Sequence, residues 1–271
     1  MKVFDFGNGP PLVVIPGIQG RWEWVKPGVD ALAERCRVIT FSLCDEPCSE
    51  ARYDERDGFG CYLEQVRNAM DQAGLTHAAI CGISYGGLIA AAFAARYPAR
   101  TSSLILVSAL SPSWTPNSRI RAYMNAPRLY AGLFWIGSPF RLYPEFTAAL
   151  PNLFERARIG LAYGWRVIAH RPSARRMSLR AKLVTEASRI DLSSVRAPTL
   201  IVTGEPALDR VVPVSTTHEY STLIPHAQHV VLERTGHVGI VTRPHALADL
   251  VAPFVERSEG APSTEAHRHA V

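Results

Sequence analysis

Short apolar runs alternate with helical periodicities over most of the chain. Residues 3–6 read as a short strand that ends in the turn Gly7-Asn8-Gly9-Pro10. Residues 12–15 are apolar without a break, the pattern of a strand buried on both faces. A helix over 29–35 and a strand over 38–43 are expected next. Leu63, Val66, Ala69 and Met70 recur at helical spacing, so 62–73 is expected to be a helix that Gly74 stops. The apolar run 78–81 is followed by an alanine-rich helix over about 88–96, which Tyr97-Pro98 ends, and then by a strand over 104–107.

From Ser111 the pattern changes. Pro112, Pro116, Pro127, Pro139, Pro144, Pro151 and Pro172 punctuate a segment without strand-like runs, and short helices are expected there. Pro151 is expected to open one helix and Ser173 to cap another, on which Met177, Ala181, Val184 and Ala187 share a face. Strands return at 198–202 and 230–232, and an amphipathic helix is expected over 246–255. From about residue 257 the chain is small and polar, the composition of a disordered tail. Strands alternating with helices imply an α/β fold, a mostly parallel sheet with helices on both faces. The expected organisation is a core made of residues 1–111 and 197–257, an all-helical cap inserted at 112–196, and a tail at 258–271.

A length of 271 residues, 47% of them apolar, suits one sizeable α/β domain with an insertion. The start of the chain lacks the basic and apolar regions of a signal peptide, and no apolar run approaches a membrane span. A soluble, cytoplasmic protein is therefore expected. The five cysteines are odd in number and irregularly spaced, with no Cys-x-x-Cys pair, which argues against a disulfide framework and a zinc site. No metal or cofactor is expected.

The net charge of +5 is unevenly placed. Residues 112–196 carry fourteen basic residues against four acids, a net of +10, which leaves −5 for the rest. Such asymmetry can mark a face for anions or for a membrane. Lysine occurs only at Lys2, Lys26 and Lys182, so a general preference for arginine accounts for part of it. No nucleic-acid-binding module accompanies the charge, and no nucleic-acid partner is expected. Arginine- and aromatic-bearing helices can lie on a membrane surface, but helices shortened by proline argue against that contact.

The chemistry is concentrated in Gly82-Ile83-Ser84-Tyr85-Gly86. Strand, Gly-x-Ser-x-Gly, then helix is the context of a nucleophile elbow, a turn too tight for side chains at its two glycines. A serine hydroxyl is a poor nucleophile unless a base takes its proton and a third group orients the base. His237 is the candidate base. It alone among nine histidines sits in the loop just past the last strand and before the last helix. The orienting acid is expected in the loop after the 198–202 strand, where Asp209 is favoured by position and Glu205 is the rival. Two backbone amides should hold the developing oxyanion. One is that of Tyr85, at the start of the helix after the serine. The other is that of Ile18, in Pro16-Gly17-Ile18-Gln19-Gly20, to which the Gln19 side chain could add a donor.

Taken together, the elbow with Gly87 after it, Asp209 four residues before Pro213, and Gly236-His237 resemble the α/β-hydrolase superfamily. The likeness covers about residues 2–255. It implies Ser84 as nucleophile, Asp209 as acid and His237 as base. Three departures are visible: Pro16-Gly17 stands where many members have His-Gly, the first of the usual eight strands is missing, and the stretch from Gly204 to Asp209 is longer than usual. A serine nucleophile argues against haloalkane dehalogenases and epoxide hydrolases of this fold, which use aspartate. The activity implied is hydrolysis of a carboxylic ester or thioester of a small to medium apolar substrate through an acyl-enzyme. The same triad also serves C–C bond hydrolases, acyltransferases and cofactor-free haloperoxidases, and some members are non-catalytic ligand-binding or sensor proteins.

The inserted segment holds eleven aromatic residues: Trp114, Tyr123, Tyr130, Phe134, Trp135, Phe140, Tyr143, Phe146, Phe154, Tyr163 and Trp165. Most are expected to pack the insertion onto the core, with enough left to line an apolar pocket. Arg121, Arg128 and Arg166 are candidates to contact an anionic group of the substrate.

Overall fold

The apolar runs become the strands of a seven-stranded sheet. A computed structural model describes residues 1–187 and 189–260, apart from the side chains of residues 130, 131, 133–136 and 260. The strands are β1 (Phe4–Phe6), β2 (Pro11–Ile15), β3 (Arg37–Thr40), β4 (Ala78–Ile83), β5 (Thr101–Val107), β6 (Thr199–Thr203) and β7 (Gln228–Val231). Their spatial order is β1-β3-β2-β4-β5-β6-β7. Only β1 runs antiparallel, against β3; the other pairings are parallel.

The helices are α1 (Lys26–Ala33), α2 (Gly60–Gln72), α3 (Tyr85–Arg96), α4 (Ser118–Asn125), α5 (Pro127–Ala149), α6 (Leu153–Ala169), α7 (Ala174–Ala187), α8 (Val214–Thr217), α9 (Glu219–Leu223), α10 (Gly239–Thr242) and α11 (Pro244–Gly260). Period-two alternation along β2 divides the core. Leu12 and Val14 face a layer with Val29, Leu32, Leu247 and Val251 of α1 and α11. Val13 and Ile15 face the opposite layer, with Val66 and Met70 of α2 and Ile89 and Phe93 of α3. Full burial of one such side chain contributes about 1.5–3 kcal/mol, so both faces of the sheet need their helices. From β2 the chain moves outward to β3, and from β4 it moves the other way. The crevice between the carboxyl ends of β2 and β4 is therefore the topological switch point, where ligands bind in open α/β sheets.

Helices α4 to α7 lie between β5 and β6. They differ from the sequence expectation in length. Helix α5 runs for 23 residues straight through Pro139 and Pro144. Each interior proline costs about 3 kcal/mol, and the packing of α5 against α4, α6, α7 and α10 outweighs it. Helix α6 starts at Leu153, not at Pro151. The side chain of Asn152 accepts from the amides of Phe154 and Glu155 at 2.9 and 3.2 Å, the bond that proline cannot supply at a cap. Ser173 does cap α7: its hydroxyl accepts from the amide of Arg176 at 3.4 Å. Helix α11 reaches Gly260 and so takes in the first residues of the segment expected to be a tail. The rest of that expectation, residues 261–271, lies outside the described residues. None of the described helices is long and apolar enough to cross a membrane.

Candidate active site

Ser84 occupies the step between β4 and α3, with φ 55° and ψ −116°. That backbone region is unfavourable for a residue with a side chain, by about 1–3 kcal/mol. Hydrogen bonds hold it there. The Ser84 amide donates to the Val107 carbonyl at 2.9 Å, and the Ser84 carbonyl accepts from Gly87 and Leu110 at 2.9 and 3.0 Å. Gly86 is required by close approach, because a Cβ there would stand 2.5 Å from the Ile15 carbonyl oxygen. The elbow thus presses directly on the end of β2, which carries the 16–20 loop.

His237 arrives from the loop after β7. Its Nε2 lies 3.0 Å from Ser84 Oγ, and its Nδ1 lies 3.2 Å from Asp209 Oδ2. The other oxygen of Asp209 accepts from the amides of Val211 and Val212, each at 2.9 Å, which fixes the carboxylate plane. The loops that bring the acid and the imidazole are joined backbone to backbone, Glu205 donating its amide to the Thr235 carbonyl at 2.8 Å. Glu205, the rival acid, is turned elsewhere: its Oε1 accepts from the Arg234 amide at 2.6 Å and ties that loop junction together.

Burial pushes the Asp209 carboxyl up, but the neighbouring His237 and the two amides outweigh it and hold the group below its usual range. Burial would likewise lower His237, and Asp209, then Glu145, raise it above the ordinary histidine value. Glu145 is a residue that the pattern of the sequence did not single out. It projects from α5, is buried, and accepts from the Val238 amide with both oxygens at 3.0 and 3.1 Å. Burial, opposed by its backbone hydrogen bonds, raises its own pKa. Its one sequence signal is an acid in the middle of an apolar stretch, Leu142 to Leu150.

Ile18, Gln19 and Tyr85 line the same cavity as Ser84, Asp209 and His237. A Cβ at Gly17 would be 3.5 Å from Ser84 Cβ and 3.0 Å from Gln19 Oε1, so the loop passes close beside Ser84 and the Gln19 side chain folds back over Gly17. The Tyr85 amide is the first of α3 and has no acceptor within the helix. The Tyr85 ring points away into the core beside Phe59 and Tyr62. The Ile18 carbonyl accepts at 2.7 Å from Arg180 of α7, a fully buried arginine that the sequence also left unremarked.

The cavity has a volume of about 1070 Å³. Of the aromatic residues in the inserted segment, Trp114, Tyr123, Tyr143, Phe146 and Tyr163 line it. Phe140, Phe154 and Trp165 are instead exposed on the outside. The side chains of Tyr130, Phe134 and Trp135 fall outside the described residues. The arginines on the wall are Arg119, Arg141 and Arg156, with Arg210 from the acid loop, and not Arg121, Arg128 or Arg166. Arg121 turns back to the Pro116 carbonyl at 2.8 Å. Among the described residues no group of three or more His, Cys, Asp and Glu side chains is placed to hold a metal ion.

A family model described as the alpha/beta hydrolase fold matches residues 10–244. The chain is similar to the pimeloyl-[acyl-carrier protein] methyl ester esterase of Aeromonas hydrophila, at 28% identity over 263 residues that cover 94% of this chain and 99% of that protein. It is also similar to the 2-hydroxy-6-oxo-2,4-heptadienoate hydrolase of Pseudomonas putida, at 24% identity, covering 94% of this chain and 92% of that protein. Among solved structures, a thermophilic esterase from Thermogutta terrifontis superposes with a TM-score of 0.71 at 21% identity, covering 95% of this chain and 93% of that one.

Proposed function

The chain belongs to the α/β-hydrolase family and is a hydrolase, and from that premise we propose that it cleaves a carboxylic ester or thioester by way of an acyl-enzyme on Ser84. The observation that carries this reading is the continuous hydrogen-bonded line from Ser84 Oγ through His237 to Asp209, opening on a largely aromatic and aliphatic cavity. Ser84 Oγ attacks the acyl carbon while His237 Nε2 takes its proton. Asp209 keeps the proton on Nδ1 and stabilises the imidazolium. The amides of Ile18 and Tyr85 receive the oxyanion; each such donor typically contributes about 2.7–4 kcal/mol to the transition state. His237 then returns the proton to the leaving alcohol or thiol. A water attacks the acyl-enzyme by the same route in reverse, freeing the acid and restoring Ser84. The helices α4 to α7 act in this reading as a cap that supplies most of the acyl-binding wall.

A second reading, hydrolysis of a C–C bond in an acidic dienone, has the support of one relative's activity and of Arg119 and Arg141 on the wall, which would suit a carboxylate. The ester reading is preferred because the lining around Ser84 is mainly apolar. A purely ligand-binding role is disfavoured by a serine, histidine and aspartate already within hydrogen-bond reach. The test is Ser84→Ala. It should abolish turnover of p-nitrophenyl esters and labelling by a fluorophosphonate probe while circular dichroism stays unchanged. Retained turnover in that variant refutes the assignment.

A further inference from the structure

Helix α6 is apolar on both sides. Its inner side places Gly160, Tyr163 and Val167 on the cavity wall. Its outer side carries Phe154, Leu161, Trp165 and Ile168, which are 77, 75, 70 and 55% exposed. Their spacing sets all four within about 60° of one another around the helix. Ala162 and Ala169 fill the same exposed side, with Arg158 among them and Glu155 at its margin. On neighbouring α5, Phe140 and Tyr143 are also largely exposed. A helix on the surface of a soluble domain ordinarily turns polar residues outward, and an apolar outer stripe calls for a second apolar phase.

We propose that this face docks the protein on an anionic lipid bilayer, with α6 lying in the interfacial plane. Charge selects that occupant. The segment 112–196 has a net charge of +10 while the rest of the chain has −5. Glu145 and Arg180 are both buried, the latter paired with Asp45 and Glu46, so the exposed charge of the segment stays strongly positive, with Arg128, Arg158, Arg171 and Arg175 exposed against the acids Glu155, Glu186 and Asp191. A second copy packed on the same face by two-fold symmetry would set this positive segment against itself. An uncharged apolar surface would leave the arginines without partners. An anionic bilayer satisfies both halves of the face, taking the aromatic and aliphatic side chains among acyl groups and the guanidinium groups at the phosphates. Tyr143 and Leu153 belong to the cavity wall and are still 63 and 74% exposed. Proline-shortened helices were the sequence argument against membrane contact; α6 is uninterrupted for 17 residues.

The test uses the full chain and co-sedimentation at low salt with vesicles of equimolar phosphatidylglycerol and phosphatidylcholine, and with phosphatidylcholine alone. The protein should sediment with the anionic vesicles, stay in solution with the neutral ones, and be released at about 1 M salt, where the Debye length falls to about 3 Å. Two variants outside the cavity, Leu161→Gln/Trp165→Gln and Arg158→Glu, should each bind the anionic vesicles roughly ten-fold less while keeping their circular dichroism and their turnover of a water-soluble p-nitrophenyl ester. Ser84→Ala should bind as the native protein does, which separates docking from catalysis. The proposal is overturned if the native protein stays in the supernatant with anionic vesicles, or if both variants bind as well as it does. Gel filtration that finds a dimer, dissociated by Leu161→Gln/Trp165→Gln, overturns it in favour of a second copy.

Discussion

Arg180 donates from Nη1 to the Ile18 carbonyl at 2.7 Å, so a helix of the insertion holds the loop that bears a proposed oxyanion donor. The same guanidinium bonds Asp45 Oδ1 through Nε and Nη2 at 3.1 and 2.8 Å, and Glu46 Oε1 through Nη2 at 2.6 Å. All three side chains are almost wholly buried. One cation therefore links α7, the 16–20 loop and the 44–46 loop. A buried pair of this kind adds little net stability over an apolar replacement, but it is costly to break from one side.

Two substitutions probe that link. Arg180→Met leaves the buried Asp45 without a countercharge and Glu46 with only Arg176 at 3.5 Å, and should destabilise the protein by about 3–5 kcal/mol, read by thermal or urea unfolding. Gly20→Ala is the more local change. Gly20 has φ +77°, and a Cβ there would fall 2.3 Å from the guanidinium nitrogens of Arg180. It should push the loop out of register and lower kcat roughly 10²- to 10³-fold, the loss expected of one misplaced oxyanion donor, with KM much less affected. Unchanged kcat in Gly20→Ala would dissociate the loop from catalysis.

Asp209 and Glu205 share one loop, and their variants should behave very differently. Asp209→Asn deprives His237 of the group that selects its tautomer and should reduce kcat by about 10⁴. Glu205→Gln keeps an oxygen to accept from the Arg234 amide and should leave kcat within a few-fold. Steady-state kinetics on one p-nitrophenyl ester decides the matter, and a larger loss in Glu205→Gln would exchange the two roles.

His237 must be neutral to act as a base, and its pKa is raised in the fold. The value of kcat/KM should therefore fall as pH drops through a point above the usual 6.5. Glu145 contributes to that rise, so Glu145→Gln should move the acid limb to lower pH while its amide oxygen still accepts from Val238. Superimposable pH profiles would remove Glu145 from the electrostatics of the base. The sign for stability is the reverse of that for activity. The raised His237 pKa favours folding below its unfolded value, and that contribution disappears as pH rises through the folded one.

Local patterns announced what local physics decides. The unbroken run of β2 required burial on both faces, and the elbow between β4 and α3 required the glycines that the packing at Gly86 demands. The candidates Ser84, Asp209 and His237 were legible because each sits in the turn or loop that follows a strand, where the order of the sheet gathers them on one edge. Other features depend on distances that sequence spacing does not carry. Arg180 and Asp45 lie 135 positions apart, and neither stands out from the charges around it. Proline signals overstated the breaks in α5, which runs on through Pro139 and Pro144 and carries Arg141 to the cavity wall. The aromatic residues of α6 could be read as wall or packing until the fold showed Trp165 and Phe154 facing outward.

The size of the acyl group should be adjustable at α6. Gly160 and Gly164 line the cavity, and a Cβ at either position would meet no atom within 4 Å. Both glycines lie inside a helix, where replacement by a residue with a side chain favours the fold by roughly 0.5–1 kcal/mol. Gly164→Leu should thus keep or raise the melting temperature while its side chain takes up cavity volume. Long acyl chains need that volume more than short ones, so the ratio of kcat/KM for p-nitrophenyl octanoate to that for the acetate should fall about ten-fold or more. An excluded pair of methylenes at about 0.8 kcal/mol each already accounts for such a change. A ratio that stays constant, with the protein folded, would place the acyl group elsewhere than along α6, and would shift the search for its pocket toward α4 and Arg119.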